Sequence, residues 1–391
     1  MFSQRTAWPM SPNALTSARQ RREQAGLPLL DLCESNPTRV GLSPRWPELA
    51  PLLDQPQAAS YTPDPLGLLS ARQAVAALHA QRVPPEQIVL SASTSEAYAW
   101  AFKLLCDPGD TVLIPTPSYP LFDYLAGLEA VQTASYPLHL VGDEWYIDTQ
   151  ALEQALTPRT RALLVVSPAN PTGSALHREE ARFLEAWCGE RGLALICDEV
   201  FADTLGSGGG DVSDRQDSCA GFQGCLTIVL SGLSKVCLLP QLKCGWMLVS
   251  GPQTLVDSAM QRLEIIADTW LSVATPVQLA LPGILALRPQ LQEGLIARLK
   301  ANRRTLELSL RGGPATLLAA DGGWSALLRL PKSLSDEQRA LDLLEQHGLV
   351  VQPGWYFDLP GEGWLVLGLL QPVELFEPAA QRLAQALLHQ G

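Results

Sequence analysis

The sequence predicts an α/β protein: a large, mostly parallel sheet flanked by helices, joined to a smaller α+β unit built from both chain ends. Three observations carry this. Between about residues 65 and 280, short apolar runs alternate with longer helix-like stretches. Those runs are apolar on both faces, as strands covered by helices on each side must be. Near residue 290 the pattern changes to a long helix-like run followed by short strands and two further helices. A chain of 391 residues suits one large and one small domain. The expected division is 1–48 for the N-terminal segment of the small domain, 49–285 for the large domain and 286–391 for the C-terminal small domain.

Taken in order, the expected strands of the large sheet are Gln87–Ser91, Thr111–Pro115, Arg161–Ser167, Leu193–Asp198, Thr227–Leu230 and Gly245–Ser250. Helices are expected over Leu68–Ala80, Thr94–Leu105, Tyr119–Leu128, Arg178–Arg191 and Gln253–Ile266. The C-terminal part opens with a helix over Leu291–Leu310. Strands at Trp324–Leu330, Leu349–Gln352 and Trp364–Leu370 follow, with helices at Asp336–His347 and Glu374–His389. The Gly- and Ser-rich stretch Gly206–Gly224 reads as a mobile surface loop, because no strand-to-helix turn surrounds it.

Composition narrows the function. Apolar residues make up 47% and charged residues 17%, which excludes an ordinary disordered chain. The net charge of −12 argues against a broad basic face for nucleic acid or anionic lipid. Apolar runs such as Ala162–Val166 fall far short of the ~20 residues of a membrane span. Met1–Pro9 has no apolar signal-peptide core. The cysteines, from Cys33 to Cys244, match no zinc or CxxC spacing, and the five histidines are scattered. Reduced thiols in a cytoplasmic protein with no metal centre are therefore expected.

Ligands on a parallel sheet bind beyond the C-terminal ends of its strands, so the residues just after each run are the candidates. The most specific segment is Ser231-Gly232-Leu233-Ser234-Lys235, followed by Pro240-Gln241-Leu242-Lys243. Only five lysines occur in the chain, and two fall here. A lysine at a strand end in an apolar setting has its charged form disfavoured, which prepares it as a nucleophile toward a carbonyl. A plain surface lysine at a strand–loop junction is the competing reading. Asp198 ends another apolar strand, where a carboxylate needs a cationic partner or serves as a helix cap. Asn170 lies in Pro168-Ala169-Asn170-Pro171-Thr172-Gly173, a ligand contact or an ordinary turn. Ser93, Thr94 and Ser95 open a helix and make either an anion site or a cap. Tyr119 offers a flat aromatic at the next strand end, and Tyr61 precedes the helix containing Arg72.

In this order and placement, the segments resemble the class I/II aminotransferases, the fold-type I family dependent on pyridoxal 5'-phosphate, over about residues 28 to 388. The resemblance implies a seven-stranded type of sheet and transamination by two half-reactions, with an amino donor and a 2-oxo acid acceptor. It implies that Lys235 carries the cofactor as a Schiff base and moves the substrate proton. Asp198 would pair with the pyridinium nitrogen, Asn170 with the ring O3′, and Tyr119 would stack on the ring. Ser93, Thr94, Ser95, Ser234 and Lys243 would hold the phosphate. Tyr61 would reach the phosphate of a neighbouring subunit in an obligate homodimer.

The departures from the family pattern are informative. Lys243 stands where the family usually has Arg, and a point charge replaces a bidentate fork. Phe201 stands where the family usually has Tyr, so O3′ loses a donor. The Arg that commonly clamps the substrate carboxylate is replaced by Val366. The family's Gly-x-Pro segment aligns with Ser35-Asn36-Pro37-Thr38-Arg39. Two substrate readings follow. Either a relocated cation, foremost Arg39, binds an α-carboxylate, or the substrate lacks one and is an amine, an amino alcohol or a carrier-linked amino acid. A PLP-dependent lyase or decarboxylase on the same scaffold is the alternative activity. A non-catalytic relative would have no chemical need for Lys235, Asp198 and Asn170 together.

Overall fold

The computed structural model describes residues 1–389. Its large sheet has eight strands. In spatial order they are Ile88–Ser91, Gly245–Ser250, Thr227–Gly232, Ala194–Asp198, Thr160–Val166, Thr111–Thr116, Gln132–Val141 and Glu144–Ile147. The five strands from Thr227–Gly232 to Gln132–Val141 run parallel. Gly245–Ser250 lies antiparallel to both of its neighbours. The sheet therefore exceeds the expected seven strands by one, because Glu144–Ile147 folds back antiparallel on Gln132–Val141. Neither strand of this edge hairpin announces itself by a continuous apolar run, since both are partly exposed.

All six strands expected for this sheet form within one or two residues of the predicted bounds. The central ones are buried along their whole length. Helices cover both faces, and each face has its own core. One centres on Leu163, Leu195, Trp187 and Trp246, the other on Trp100, Phe102, Leu164 and Ile196. Arg178–Arg191 forms as predicted; the left-handed Gly192 after it ends the helix with N–H bonds back to Cys188 and Gly189. The helices Ala14–Gln24 and Thr275–Ala286 go beyond the expected set. The first is mostly polar, and the second carries Pro282 inside it.

A third core joins the two chain ends. Leu15, Ala18 and Leu32 pack with Leu299, Leu306, Leu328, Leu343, Phe376 and Leu383. A small antiparallel sheet, Thr316–Leu317, Ser325–Arg329, Trp364–Gly368 and Gln352–Pro353, supports it. Leu30–Asp31 pairs parallel with Leu349–Val350 and ties the N-terminal segment to this unit. Among the described residues no helix is long and apolar enough to cross a membrane.

The Gly206–Gly224 stretch is not the free surface loop expected. Arg215 within it is 4% exposed and bonds Asp321 at 3.0 Å, Glu144 at 3.2 Å and Asp214 at 2.6 Å. Gly208 passes so close to the small unit that a Cβ would lie 1.7 Å from the Ala320 carbonyl oxygen. A buried guanidinium needs such partners, and they pin the loop.

Candidate active site

The C-terminal ends of the parallel strands open into a cavity of about 370 Å³ between the large sheet and the small unit. It has the size and mixed lining of a small-molecule site. Its wall brings together Ser93, Thr94, Ser95, Tyr119, Asn170, Asp198, Phe201, Ser234, Lys235, Lys243 and Ser35 from the expected set. Four expected residues are not in this wall. Tyr61 is 77% exposed and lies on a separate small cleft. Asn36 turns inward on its own loop, where its Oδ1 accepts from the Thr38 N–H and hydroxyl. Arg39 is exposed, with Nη1 3.6 Å from Glu34 Oε2. Val366 is buried among Trp145, Leu327, Phe357 and Trp364, because its strand turns that side chain into the apolar cluster.

Lys235 sits on the one-turn helix Leu233–Val236 directly after the Thr227–Gly232 strand. Gln292, buried on the long helix Arg288–Leu310, donates to the carbonyls of Lys235 and Val236 at 3.0 and 2.8 Å. This holds the turn in place. Lys235 Nζ lies 4.5 Å from the Trp324 ring centre and 5.7 Å from that of Phe201. Burial pushes its pKa below the ordinary lysine value, and the charge of Asp198 partly opposes this. Asp198 accepts the Tyr98 O–H at 2.8 Å and the Val200 N–H at 3.0 Å. Burial pushes its carboxyl up, against those two bonds and Lys235. A buried carboxylate with two neutral donors retains capacity for a cation.

Across the cavity, the helix Thr94–Leu105 presents its N-terminus. Ser93 Oγ caps it through the Glu96 N–H at 3.2 Å, and the first-turn N–H groups of such a helix have no intrahelical acceptor. Gly245 on the neighbouring strand allows this approach, since a Cβ there would stand 3.0 Å from Ser93 C and 3.1 Å from Thr94 N. Lys243, in a left-handed turn at φ 50°, adds a positive charge at the same wall. Asn170 Oδ1 accepts from Ser325 Oγ at 3.3 Å.

Sequence reasoning missed Tyr98, Trp324, Ser325, Gln352, Phe357 and Glu34, all in the wall. Tyr98 carried a usable signal: it lies one helical turn after Thr94 and so shares that residue's face. Trp324 and Gln352 carried none, because they belong to a sheet brought over the cavity by packing alone.

The donor set fits pyridoxal phosphate. A helix N-terminus with hydroxyls and Lys243 suits a dianionic phosphate. The buried carboxylate of Asp198 suits a protonated ring nitrogen, and Lys235 suits an aldehyde.

A family model described as aminotransferase class I and II matches residues 28–382. The glutamate–pyruvate aminotransferase AlaA of Escherichia coli K12 is 26% identical over 382 residues, covering 94% of this chain and 92% of the relative. An alanine aminotransferase of Mycobacterium tuberculosis is 28% identical over 384 residues, covering 94% and 87%. The solved structure of the alanine aminotransferase of Pyrococcus furiosus superposes with a TM-score of 0.88 at 21% identity, covering 100% of both chains. It carries the same fold. With the family model spanning nearly the whole chain, the chain belongs to the aminotransferase class I and II family, enzymes that transfer amino groups.

Proposed function

We propose that this aminotransferase depends on pyridoxal phosphate, uses Lys235 as its proton carrier and takes an atypical substrate. The observation that carries the reading is Lys235, at a strand end, in one cavity with the buried carboxylate of Asp198 and the N-terminus of the Thr94–Leu105 helix. Thr94, Ser95, Ser234 and Lys243 hold the cofactor phosphate, with Ser93 capping the helix beneath it. Asp198, oriented by the Tyr98 O–H and the Val200 N–H, would keep the proton on the ring nitrogen through its free lone pairs. Asn170 meets the ring oxygen, and Tyr119 covers the ring face. When bound, pyridoxal phosphate supplies a sink for the electron pair left on the donor carbon. Lys235 Nζ takes the proton from that carbon and returns it at the neighbouring position, general acid–base work for which a lowered lysine pKa is suited. Phe201 and Trp324 keep water from Nζ on one side.

The amino group passes from an amine or amino acid to a 2-oxo acid. The curated relatives are named for glutamate, pyruvate and alanine. Val366 in place of a carboxylate-binding Arg sets this chain apart from the usual family pattern. Tyr61, exposed and outside its own cavity, supports a homodimer with shared sites. Eight free cysteines suit a reducing cytoplasm. The test is visible absorbance of the cofactor-loaded protein on adding one amine or amino acid at a time, without acceptor. Conversion of the band to the amino form, and recovery on adding a 2-oxo acid, are expected. Product formation with a band that never converts would overturn transamination in favour of elimination or decarboxylation.

A further inference from the structure

The following rests on the aminotransferase reading and concerns how one cavity receives two substrates in turn. On this chain the cations in the cavity wall are Lys235 and Lys243, both of which serve the cofactor. Among the described residues no arginine lines this cavity. Val366 is 1% exposed in an apolar cluster. Arg329 has its guanidinium carbon 4.0 Å from the Trp364 ring centre and donates to the Glu362 carbonyl.

An acidic residue is among those lining that end instead. Glu34 lines it, with its side chain only 18% exposed. Its carbonyl oxygen stands 3.1 Å from where a Cβ of Gly368 would be, two residues along the strand from Val366. The Asn36 N–H donates to Oε1 at 2.8 Å and orients the carboxylate. Trp324, also in the wall, is 4% exposed and its Nε1 has no hydrogen-bond partner among the described residues, a donor suited to an acceptor oxygen of the 2-oxo acid rather than to an ammonium. A substrate carboxylate entering this end meets like charge, whereas an ammonium meets an opposite charge largely withdrawn from water. Outside the wall, Arg39 Nη1 stands 3.6 Å from Glu34 Oε2, longer than a hydrogen bond, on a side chain 73% exposed. Such a pair is weak and easily exchanged.

We propose that Glu34 and Arg39 are the substrate-selecting pair of this enzyme. Glu34 receives the cationic far end of a donor amine with no carboxylate on its reacting carbon, a diamine being the simplest case. Arg39 receives the carboxylate of the 2-oxo acid acceptor. The exchange balances: the donor carbon is oxidised from amine to aldehyde, the 2-oxo acid is reduced to an amino acid, and the carbonyl oxygen passes the other way. No further oxidant is needed.

The test separates the half-reactions on holoenzyme, with cofactor loading read from the visible band of each variant. In the first, 1,4-diaminobutane, butylamine, L-alanine and L-glutamate are each added. In the second, the aminated enzyme is given pyruvate or 2-oxoglutarate. The wild type is expected to convert fastest with 1,4-diaminobutane. Glu34→Gln is expected to cut the diamine rate constant roughly tenfold or more, the loss of a charge-assisted hydrogen bond, and Glu34→Asp to restore part of it. Arg39→Ala is expected to fall chiefly on the second half-reaction. L-alanine or L-glutamate outrunning the diamine, or both variants slowing both half-reactions alike, overturns the proposal and leaves the aminotransferase reading standing. A band that converts with neither amines nor amino acids, or is never recovered by a 2-oxo acid, defeats the aminotransferase reading itself.

Discussion

Glu199, next to Asp198 in the chain, is expected to supply one of two opposed slopes in the pH dependence of stability. It is 4% exposed and accepts the Cys219 N–H at 2.6 Å and the Ser218 O–H at 2.7 Å. Burial pushes its carboxyl up from 4.5 to about 7. A raised acid binds its proton more tightly folded than unfolded. Its contribution is therefore complete below pH 4.5, falls as pH rises toward 7, and is lost above that. The interval corresponds to about 3 kcal/mol. His79 works in the opposite direction. It accepts from Trp246 Nε1 at 3.1 Å, and burial lowers its pKa from 6.5 to about 4. Its contribution is present above pH 6.5 and is lost as pH falls toward 4. Between pH 4.5 and 6.5 the two slopes oppose each other. Glu199→Gln keeps an acceptor for Cys219 and removes the titration. Relative to wild type, it should gain about 3 kcal/mol between pH 4.5 and pH 8. Urea unfolding followed by tryptophan fluorescence at pH 4.5, 6 and 8 measures this. A difference between variant and wild type that stays constant across the window would refute the reasoning.

Three further outcomes are expected. Lys235→Ala should remove the visible band of the bound cofactor and lower turnover by roughly 10³-fold or more, while circular dichroism stays that of the wild type; retained turnover would show that another group moves the proton. Phe201→Tyr places a hydroxyl on a ring now edge-on to Trp324 at 5.4 Å, and should lower the pH midpoint of the cofactor band; an unchanged or raised midpoint would show that this ring does not tune O3′. Arg215→Ala strips the partner from Asp321, whose side chain is 12% exposed, and from the more exposed Glu144 and Asp214. Discounting the exposed contacts, it should cost about 2 kcal/mol, seen as a lower urea midpoint, and a shift under about 0.5 kcal/mol would refute the pinning role.

The central strands, the helices between them and the residues at their ends are legible in the amino-acid sequence. Apolar runs such as Ala194–Asp198 must be buried on both faces, and a lysine, an aspartate and a helix N-terminus set just beyond such runs must converge on one edge of a parallel sheet. Local pattern reached that far because each signal lies within a few residues of the strand that positions it. What covers that edge depends on packing between segments far apart in the chain. Trp324 and Gln352 arrive with a sheet more than eighty residues downstream of Lys235, and their packing over the cavity left no local periodicity to read. The same packing turns Val366 into an apolar cluster and brings Glu34 to the cavity lining, with Arg39 outside it. The same holds for the Gly206–Gly224 stretch. Its composition matches a free loop, but Arg215 finds carboxylates from Glu144 and Asp321, residues remote in sequence, and a buried charge stays where its partners are.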